Sequence, residues 1–590
     1  MKKQISLTNL FPLPLREGRG GSSLPPSRGP RKISDFWGAL VGRVGVGLLM
    51  TTILAACNPT LPSEEEPTNE AAAMPDWYYA GGELGTTELN TSNAYEQPTA
   101  SVDNGHFSEQ FKSGEALFEK QFMTNTGGTR GGLGPVYVRA SCIHCHPNYG
   151  HGKSVPAGKY NSNEIGNGTL LVIYDPNTEA YKTWAAGMPQ LHAVPPFKAP
   201  IDESQITVEW RTVSTFAASG DVFTFPDGEP FELRYPVVTM PETAVYGHED
   251  LALGNYEVRL ENTIGIYGTG LLDAIPDDSI IAQWAKEELA YQKGYLKHWN
   301  SAMLEGGTYK NWYTNKVQGD GTPYARRFTY AMSRGPLLDA AGANAIWNIT
   351  NVTRSDRRYH YLDLAGTTYA TIASNDPDVQ AGFPDYIEKI DPEHTHAEWF
   401  TDNMQQNIYA YLTSKDLPVE MSDNEYADFM VWHRGLAVPA VRGADDPVVK
   451  RGREVFNQIG CAACHRPSWT TGSDQLQDPN RFFTRNSDMP RYPYQTIYPY
   501  TDMVQHKLCM ENDIRTGWCR TTPLWGRGLH QKITGDDYAA RLHDTRARNA
   551  VEAILWHGYS AESDAYESTV QFYNLPKEDR EALVKFVDAI

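Results

Sequence analysis

The sequence has few cysteines, no excess of positive charge and no apolar run of the length that spans a bilayer. It holds 7 cysteines in 590 residues, and 52 Lys and Arg against 72 Asp and Glu give a formal net charge of -20. An acidic chain repels phosphate backbones, which excludes nucleic acid as an expected partner. Such a surface favours a cationic redox partner, although solubility alone also accounts for it. At this length the chain is expected to divide into two or three packed units.

The amino-terminal segment has the pattern of an export signal. Basic residues precede the apolar run at residues 44–56, which is too short to be a permanent membrane span. The run ends Leu-Ala-Ala before Cys57, which is typical of a bacterial lipobox. We therefore predict a signal peptide over residues 1–57, lipidation of Cys57, and a flexible tether over residues 58–103. The alternative is an ordinary signal peptide or an uncleaved anchor.

Four of the cysteines form two short motifs with the spacing C-x-x-C-H. The motif residues are Cys142, Cys145 and His146 in the first copy and Cys461, Cys464 and His465 in the second. This spacing is used to attach c-type haem, because two thiols on one turn reach the porphyrin and the next histidine reaches the iron. By chance it would occur about 0.002 times in a chain of this composition. Two covalently bound haem c groups are therefore predicted, and zinc binding is the competing interpretation.

The remaining pair, Cys509 and Cys519, encloses a short loop. In an exported chain a disulfide is the natural expectation, which would stabilise the fold by about 2 to 3 kcal/mol. Two free thiols or a redox-active pair are the alternatives.

The chain shows two copies of one plan. Each cysteine motif follows a helix-like stretch, residues 114–118 and 452–456, and a second echo relates residues 262–271 to residues 520–529. These repeats predict a mainly α fold with two cytochrome-c-like haem domains in tandem. A small β-rich subdomain is expected as an insertion in the first domain, because alternating apolar residues flank a Pro-Asp-Gly turn. The expected domains are residues 104–330 (first haem domain with the insertion), 331–445 (connector) and 446–590 (second haem domain).

From about Asn104 to its end, the sequence resembles the bacterial di-haem oxidoreductases, relatives of the di-haem cytochrome c peroxidases. The similarity is carried by several short motifs, namely residues 131–135, 270–276, 435–440, 498–502, 520–526, 542–544 and 552–558. The resemblance implies two helical haem domains facing each other, with one haem receiving electrons and the other meeting the oxidant. It also implies a calcium ion between the domains, to which no residue is assigned.

The resemblance places His557 where related peroxidases have an axial methionine, so it is the candidate sixth ligand of the second iron. A histidine at a helix end that bonds a carbonyl is the alternative. The chain departs from its relatives at residues 506–509, where they usually read His-Asp-Met-Gly, so that the role of this methionine is lost or moved to Met510.

The first iron has no assigned sixth ligand. His298 is a symmetric counterpart of His557 by spacing, although a surface histidine is an equally simple interpretation. An open site would bind peroxide, and its cleavage also needs an acid or base nearby. Candidates are Glu261 and Asp273, with Glu209 and Arg211 as further options that structural salt bridges would equally explain.

These features together predict an enzyme resembling a di-haem cytochrome c peroxidase. Peroxide would be reduced at the first haem with electrons that enter through the second, from a small redox protein or a quinol-derived donor. The alternatives are oxidation of a thiol, metal or protein partner, and a non-catalytic electron-transfer module. The expected location is the periplasmic side of a bacterial membrane through the lipid anchor. Asn58 after the lipidated cysteine favours the outer membrane.

Overall fold

The computed structural model describes residues 74–124, 131–185, 187–315, 321–341, 343–362, 366–478 and 486–590. The predicted signal segment and Cys57 lie outside the described residues. Among the helices of the described part, none combines the length and the apolar character needed to cross a bilayer.

The described helices are distributed along the whole chain. They are α1 Gly82–Gly85, α2 Ala100–Asn104, α3 Ser108–Glu119, α4 Thr269–Asp273, α5 Asp277–Gln292, α6 Ala343–Thr350, α7 Gly366–Asn375, α8 Pro377–Ile390, α9 Met404–Thr413, α10 Asp423–Arg434, α11 Pro447–Gln458, α12 His530–Thr534, α13 Ala550–Trp556, α14 Tyr566–Tyr573 and α15 Lys577–Ala589.

The described strands are mostly short and form small sheets. They are β1 Thr86–Thr87, β2 Val136–Tyr137, β3 Gly158–Lys159, β4 Thr169–Tyr174, β5 His192–Ala193, β6 Thr207–Thr212, β7 Arg234–Thr239, β8 Glu257–Asn262, β9 Leu304–Glu305, β10 Thr308–Tyr309, β11 Trp312–Tyr313, β12 Tyr324–Ala325, β13 Val438–Pro439, β14 Trp469–Thr470, β15 Thr496–Ile497, β16 Gln505–Lys507 and β17 Trp518–Arg520. With 35% helix and 13% strand, the fold is mixed and richer in short strands than the mainly α prediction.

Two helix crossings repeat the same contact. Helix α3 packs against α10 at Gly114, where an added Cβ would lie 2.6 Å from the Cβ of Trp432. Helix α11 packs against α15 at Gly452, where the corresponding distance to Phe586 is 2.7 Å. Glycine allows the helix backbones to approach closely at both crossings. Helix α10, which packs on the helix preceding the first cysteine motif, therefore lies within residues 331–445, the range that we predicted as a connector.

The ends of these helices follow local rules. Ser422 caps α10. Its hydroxyl oxygen accepts a hydrogen bond from the Glu425 N–H, and the Glu425 carboxylate accepts one from the Ser422 N–H. Asp446 caps α11, and Pro447 occupies its first position, where the missing N–H costs nothing. Both helices thus begin where the sequence provides polar caps.

The predicted β-rich insertion contains the longest described strands. Strand β4 pairs antiparallel with β8 in a register that places Thr169 opposite Asn262, and β3, β6 and β7 form a three-stranded sheet. The predicted turn is also present, since the Phe225 N–H donates to the Glu229 carbonyl (2.8 Å) and Gly228 adopts a φ of +89°. The residues on either side of this turn do not form two full strands. They form a single antiparallel β-bridge, Thr224 with Pro230, before β7 begins.

The glycine-rich echo appears as two equivalent turns. Gly268 and Gly526 both adopt a φ of +71°, and a short helical turn follows each. A Cβ on Gly268 would lie 2.8 Å from the ring of Trp525, and one on Gly526 would lie 2.9 Å from the ring of Tyr267. The two turns therefore face each other, each placing its aromatic ring on the other's glycine.

Residues 74–103, which we predicted as part of a flexible tether, are packed into the fold. The ring of Trp77 lies 6.1 Å from that of Phe586, and Tyr95 stacks on Tyr267 at 3.9 Å. Strand β1 pairs in parallel with β13. Buried aromatic rings anchor this segment, because they remove a large apolar area from water.

Candidate functional site

The first cysteine motif forms a single turn. The backbone N–H groups of Cys145 and His146 both donate to the carbonyl of Cys142 at 3.2 Å. The Nδ1 of His146 lies 3.3 Å from the carbonyl of Gly150, a contact that orients the ring. Burial lowers the pKa of His146 to about 4, although this hydrogen bond acts in the opposite direction. The imidazole is thus in its neutral, metal-binding form.

The second motif has the same local geometry. The His465 N–H donates to the carbonyl of Cys461 at 2.9 Å, and the ring Nδ1 lies 3.1 Å from the carbonyl of Tyr500. Burial likewise lowers the pKa of His465 to about 4. Each motif therefore presents two thiols and one oriented imidazole from one turn.

His557 lies at the end of α13 and faces His465. Its Nδ1 is 2.6 Å from the carbonyl of Ala553, and its ring centroid lies 6.3 Å from that of His465. Two imidazoles that bind one metal on opposite sides through bonds of about 2 Å place their centroids roughly 6 Å apart. The pair thus has the spacing of two axial haem ligands, and its carbonyl contacts are those that orient such ligands.

A cavity of about 460 Å³ surrounds this histidine pair. Cys461 and Cys464 both line it, and its remaining wall is largely apolar, with Phe456, Ile459, Leu524, Ile554, Leu583 and Val587 among its residues. A mostly apolar cavity with a few convergent ligands is the expected setting of a large cofactor. His506 and Asp502 form a buried pair beside Cys464, with 2.8 Å between Nε2 and Oδ2. The residues present therefore fit a covalently attached haem.

His433 on α10 is the notable residue near the first motif, and it is not among those that the sequence singles out. The ring of Phe118 lies 6.1 Å from His146 and 4.5 Å from Trp432, the neighbour of His433. His433 is 6% exposed, and neither ring nitrogen has a hydrogen-bond partner among the described residues. Such a group is costly to bury unless a further ligand satisfies it.

The repeated helix crossing indicates which bound group would contact the unpaired nitrogens of His433. Trp432 occupies at the first crossing the place that Phe586 occupies at the second. His433 therefore corresponds to Val587, which lines the cavity around the second motif. Both unpaired ring nitrogens of His433 thus fit a haem held by the first motif. The equivalent residue near the second motif, Val587, lines the cavity there.

Among the described residues, neither predicted catalytic carboxylate has a hydrogen bond or an ion pair with the first motif. Asp273 is buried, forms an ion pair with Arg434 at 2.8 Å and accepts a hydrogen bond from the Leu337 N–H at 3.0 Å. Its partners explain its burial structurally. Glu261 lines a separate cavity of about 750 Å³, and burial raises its pKa to about 7. That cavity contains no residue of either cysteine motif.

The further candidates lie at the surface. Glu209 and Arg211 form an exposed pair on β6 with 2.8 Å between their charged groups, in agreement with the structural interpretation. His298 lies with its Nδ1 3.2 Å from a carboxylate oxygen of Asp564 and is partly exposed. Asp564 lines the cavity around the second motif, so this contact places His298 near the second motif and gives no support to the symmetric role at the first.

The structure does not join Cys509 to Cys519, and both are free thiols. Strand β17 pairs with β16 in a register that places Cys519 opposite His506, and Cys509 follows beyond the end of β16. The two cysteines are thus offset along the hairpin instead of facing each other. The Cys519 Sγ lies instead 3.8 Å from the Nδ1 of His543.

Comparison with known proteins identifies part of the chain. Residues 406–590 match the family model described as "Di-haem oxidoreductase, putative peroxidase". Searches of the curated proteins and of the solved structures found no match. The matched segment contains α10, the second cysteine motif and His557. The family resemblance predicted from the sequence motifs is thereby confirmed for residues 406–590, the segment that is similar to the di-haem oxidoreductases.

Proposed function

We propose that this protein is a c-type di-haem enzyme that reduces hydrogen peroxide to water at its first haem. Electrons enter through the second haem. The observation that carries the proposal is the difference between the two sites. His465 faces a second imidazole at 6.3 Å, whereas among the described residues the ring that lies at a similar distance from His146, 6.1 Å, is the phenyl ring of Phe118. Two imidazole ligands suit electron transfer, and a single one leaves a coordination position for an oxidant.

Haem iron, when bound at the first site, supplies the electrons and the binding position for peroxide. The chain supplies the proton transfers. Burial, and to a lesser extent the nearby His146, lowers the pKa of His433 to about 3, so its ring is neutral at neutral pH. A neutral ring nitrogen of His433 can accept the proton of one peroxide oxygen and return it to the other as the O–O bond breaks. Two further protons and two electrons complete the conversion of one peroxide to two waters.

The paired glycine turns provide a route between the sites. Tyr267 and Trp525 are in contact, and residues 520–524 line the cavity around the second motif. On the other side, the Ile266 N–H bonds to the carbonyl of Tyr149, three residues after His146. Packed aromatic side chains thus connect segments that adjoin the two motifs.

The test is a set of absorption and EPR spectra of the oxidised and half-reduced protein, before and after stoichiometric peroxide. The proposal predicts one high-spin haem that reacts with peroxide and one low-spin haem that does not. Two low-spin signals indifferent to peroxide in both states would contradict the proposal and favour a non-catalytic electron-transfer module.

The cavity of about 750 Å³ favours a second candidate, oxidation of an organic or thiol substrate. Trp347, Tyr359 and Tyr361 line it together with Glu261. Thr329 and Ala331 also line this larger cavity, while Tyr330 between them lines the cavity of the second motif. The two cavities are therefore separated there by a single residue. A substrate bound there would pass electrons to the second haem, and aerobic substrate oxidation without added peroxide would distinguish this activity.

The remaining aspects of the proposal come from the sequence. Attachment to the periplasmic side of a bacterial membrane, of which the outer membrane is favoured, would follow from lipidation of Cys57. The electron donor would be a small redox protein or a quinol-derived donor. The negative net charge supports a cationic protein partner. Metabolic labelling with a radioactive fatty acid tests the anchor, with Cys57→Ala as the unlabelled control.

A further inference from the structure

A cluster of three potential metal ligands lies outside both cysteine motifs. It consists of Asp513, Cys519 and His543, and one donor atom from each lies within 4.8 Å of the others. The Cys519 Sγ is 3.8 Å from the His543 Nδ1, and the Asp513 Oδ1 is 3.7 Å from the Nε2 of the same ring. In a tetrahedral site with bonds of about 2.0 to 2.3 Å, donor atoms lie roughly 3.3 to 3.8 Å apart. The distance from Cys519 to His543 meets this spacing, whereas the Asp513 distance ends on the other ring nitrogen. One donor atom from each of the three residues lies within 4.8 Å of the others, which brings them within reach of one ion.

The cluster is buried but accessible from one side. The His543 side chain is 2% exposed, and the Asp513 side chain is 11% exposed. Cys519 and His543 both line the cavity of about 460 Å³, so the cluster opens toward it. The protein excludes bulk solvent from the other sides of the cluster, and the open side faces the cavity that the haem of the second motif would share.

The charge around the cluster also favours a cation. Burial raises the pKa of the Cys519 thiol well above the usual value, and the negative charges of Asp513, Glu261 and Asp544 act in the same direction. The guanidinium of Arg546 acts against these negative charges, but it is bound to Asp544 with 2.7 Å between the charged groups. A bound cation would offset this local excess of negative charge.

The second nitrogen of His543 has the surroundings of an oriented metal ligand. With Nδ1 turned to Cys519, Nε2 lies 3.6 Å from the Asp544 Oδ2. Histidines that bind metals usually present their other nitrogen to a carboxylate, which fixes the ring and makes it a stronger donor. Arg546 donates a hydrogen bond to Asp544, which holds this carboxylate in place beside the His543 ring.

We propose that Asp513, Cys519 and His543 form a binding site for one Zn²⁺ ion, with the fourth position open toward the cavity. The mixed sulfur, nitrogen and carboxylate donor set matches this borderline-soft ion better than Ca²⁺ or Mg²⁺, which prefer oxygen ligands only. Three protein ligands and one open position are the arrangement of catalytic and exchangeable zinc sites. The site shares the cavity of the second cysteine motif, so zinc bound there would lie beside the proposed haem, but it does not require the proposed peroxide chemistry.

The test uses the full-length haem-loaded protein, isolated under reducing conditions, incubated with ZnSO₄ and dialysed. The expected result is one zinc per two irons by mass spectrometry, with one sulfur neighbour at about 2.3 Å in zinc-edge X-ray absorption. Cys519→Ser and Asp513→Asn should each reduce bound zinc at least tenfold with the haem spectrum unchanged. Cys509→Ser is the matched control and should retain zinc, because this thiol is outside the cluster.

Three results would overturn the proposal. The first is wild-type protein without zinc above the dialysis background. The second is full zinc retention by Asp513→Asn together with Cys519→Ser. The third is a Cys509–Cys519 disulfide in the protein isolated without reductant, which non-reducing peptide mass analysis would detect. Because Asp513→Asn keeps the size of the side chain, it tests the site even where Cys519→Ser does not fold.

Discussion

Tyr267 donates a hydrogen bond from its hydroxyl to the backbone carbonyl of Trp525 at 3.2 Å. Each of these aromatic residues directly precedes a left-handed glycine, Gly268 or Gly526, and lies against the glycine of the other turn. The contact is reciprocal, so the two halves of the repeated sequence pack through the same element. The interface between the halves thus depends on the absence of a side chain at two positions.

Gly526→Ala is expected to destabilise the protein by more than the left-handed conformation alone explains. The backbone penalty is about 1 to 2 kcal/mol, and the new methyl group would also displace the ring of Tyr267. Gly294→Ala is the matched control, because its φ is +76° and no heavy atom lies within 4 Å of the added Cβ. Urea unfolding measures both. Equal losses in the two variants would mean that the packing of the turns contributes nothing.

His557→Met is expected to raise the reduction potential of one haem, because a His/Met iron has a higher potential than one with two histidines. The reason is the 6.3 Å pairing of His557 with His465. Potentiometric titration followed by absorption measures the change. His298→Met, at a surface histidine, should leave both potentials unaltered. An unchanged potential in His557→Met would exclude this residue as a ligand.

His433→Leu is expected to lower peroxide turnover by about 10²- to 10⁴-fold, the usual contribution of one acid–base group. Haem content and stability should be retained, since leucine fills the site and removes two unpaired nitrogens. The control is His360→Leu, which changes another buried histidine that lines the larger cavity. Equal turnover in His433→Leu and wild type would place the proton transfers elsewhere.

Asp273→Asn is expected to reduce stability by about 3 to 5 kcal/mol and to leave the haem spectra unchanged. The substitution removes one partner of the buried Arg434, which also pairs with Asp474. Thermal unfolding and absorption spectra together provide the measurement. A variant of full stability that had lost peroxide turnover would instead restore the catalytic role predicted from the sequence.

Glu261 is expected to make stability depend on pH. Its pKa is about 7 in the folded chain because of burial, against about 4.3 in an unfolded chain. The folded state therefore binds this proton more tightly, and the stability it contributes is lost as pH rises from about 4 to 7. Glu261→Gln should remove this slope and exceed the wild type in urea midpoint at pH 8. Glu257→Gln, at a more exposed position on the same strand, is the control.

The local features of the site could be predicted from the sequence, because short motifs encode them. Both cysteine turns have the expected hydrogen bond from the histidine N–H to the first cysteine carbonyl. The echo that ends in Gly268 and Gly526 is confirmed as two turns of the same conformation. In these cases the residues that define the structure are neighbours in the chain.

The contacts between distant residues could not be predicted in this way. His433 reaches the first unit only because α10 crosses α3 at Gly114. Neither the register of that crossing nor the unpaired state of the imidazole has a signal in the sequence around it. Trp77 and Tyr95 likewise looked like part of a tether, because the rings that contact them come from residues 509 and 172 positions further along the chain.

The crossing of α3 with α10 also sets an order of assembly. Roughly 300 residues separate these two helices, whereas the first cysteine turn follows α3 closely. During synthesis, Cys142 and Cys145 therefore emerge long before the helix that covers their site. With haem attached as we propose, the thiols stay reachable for an attachment enzyme throughout that interval, and the α3–α10 crossing closes only when Trp432 arrives.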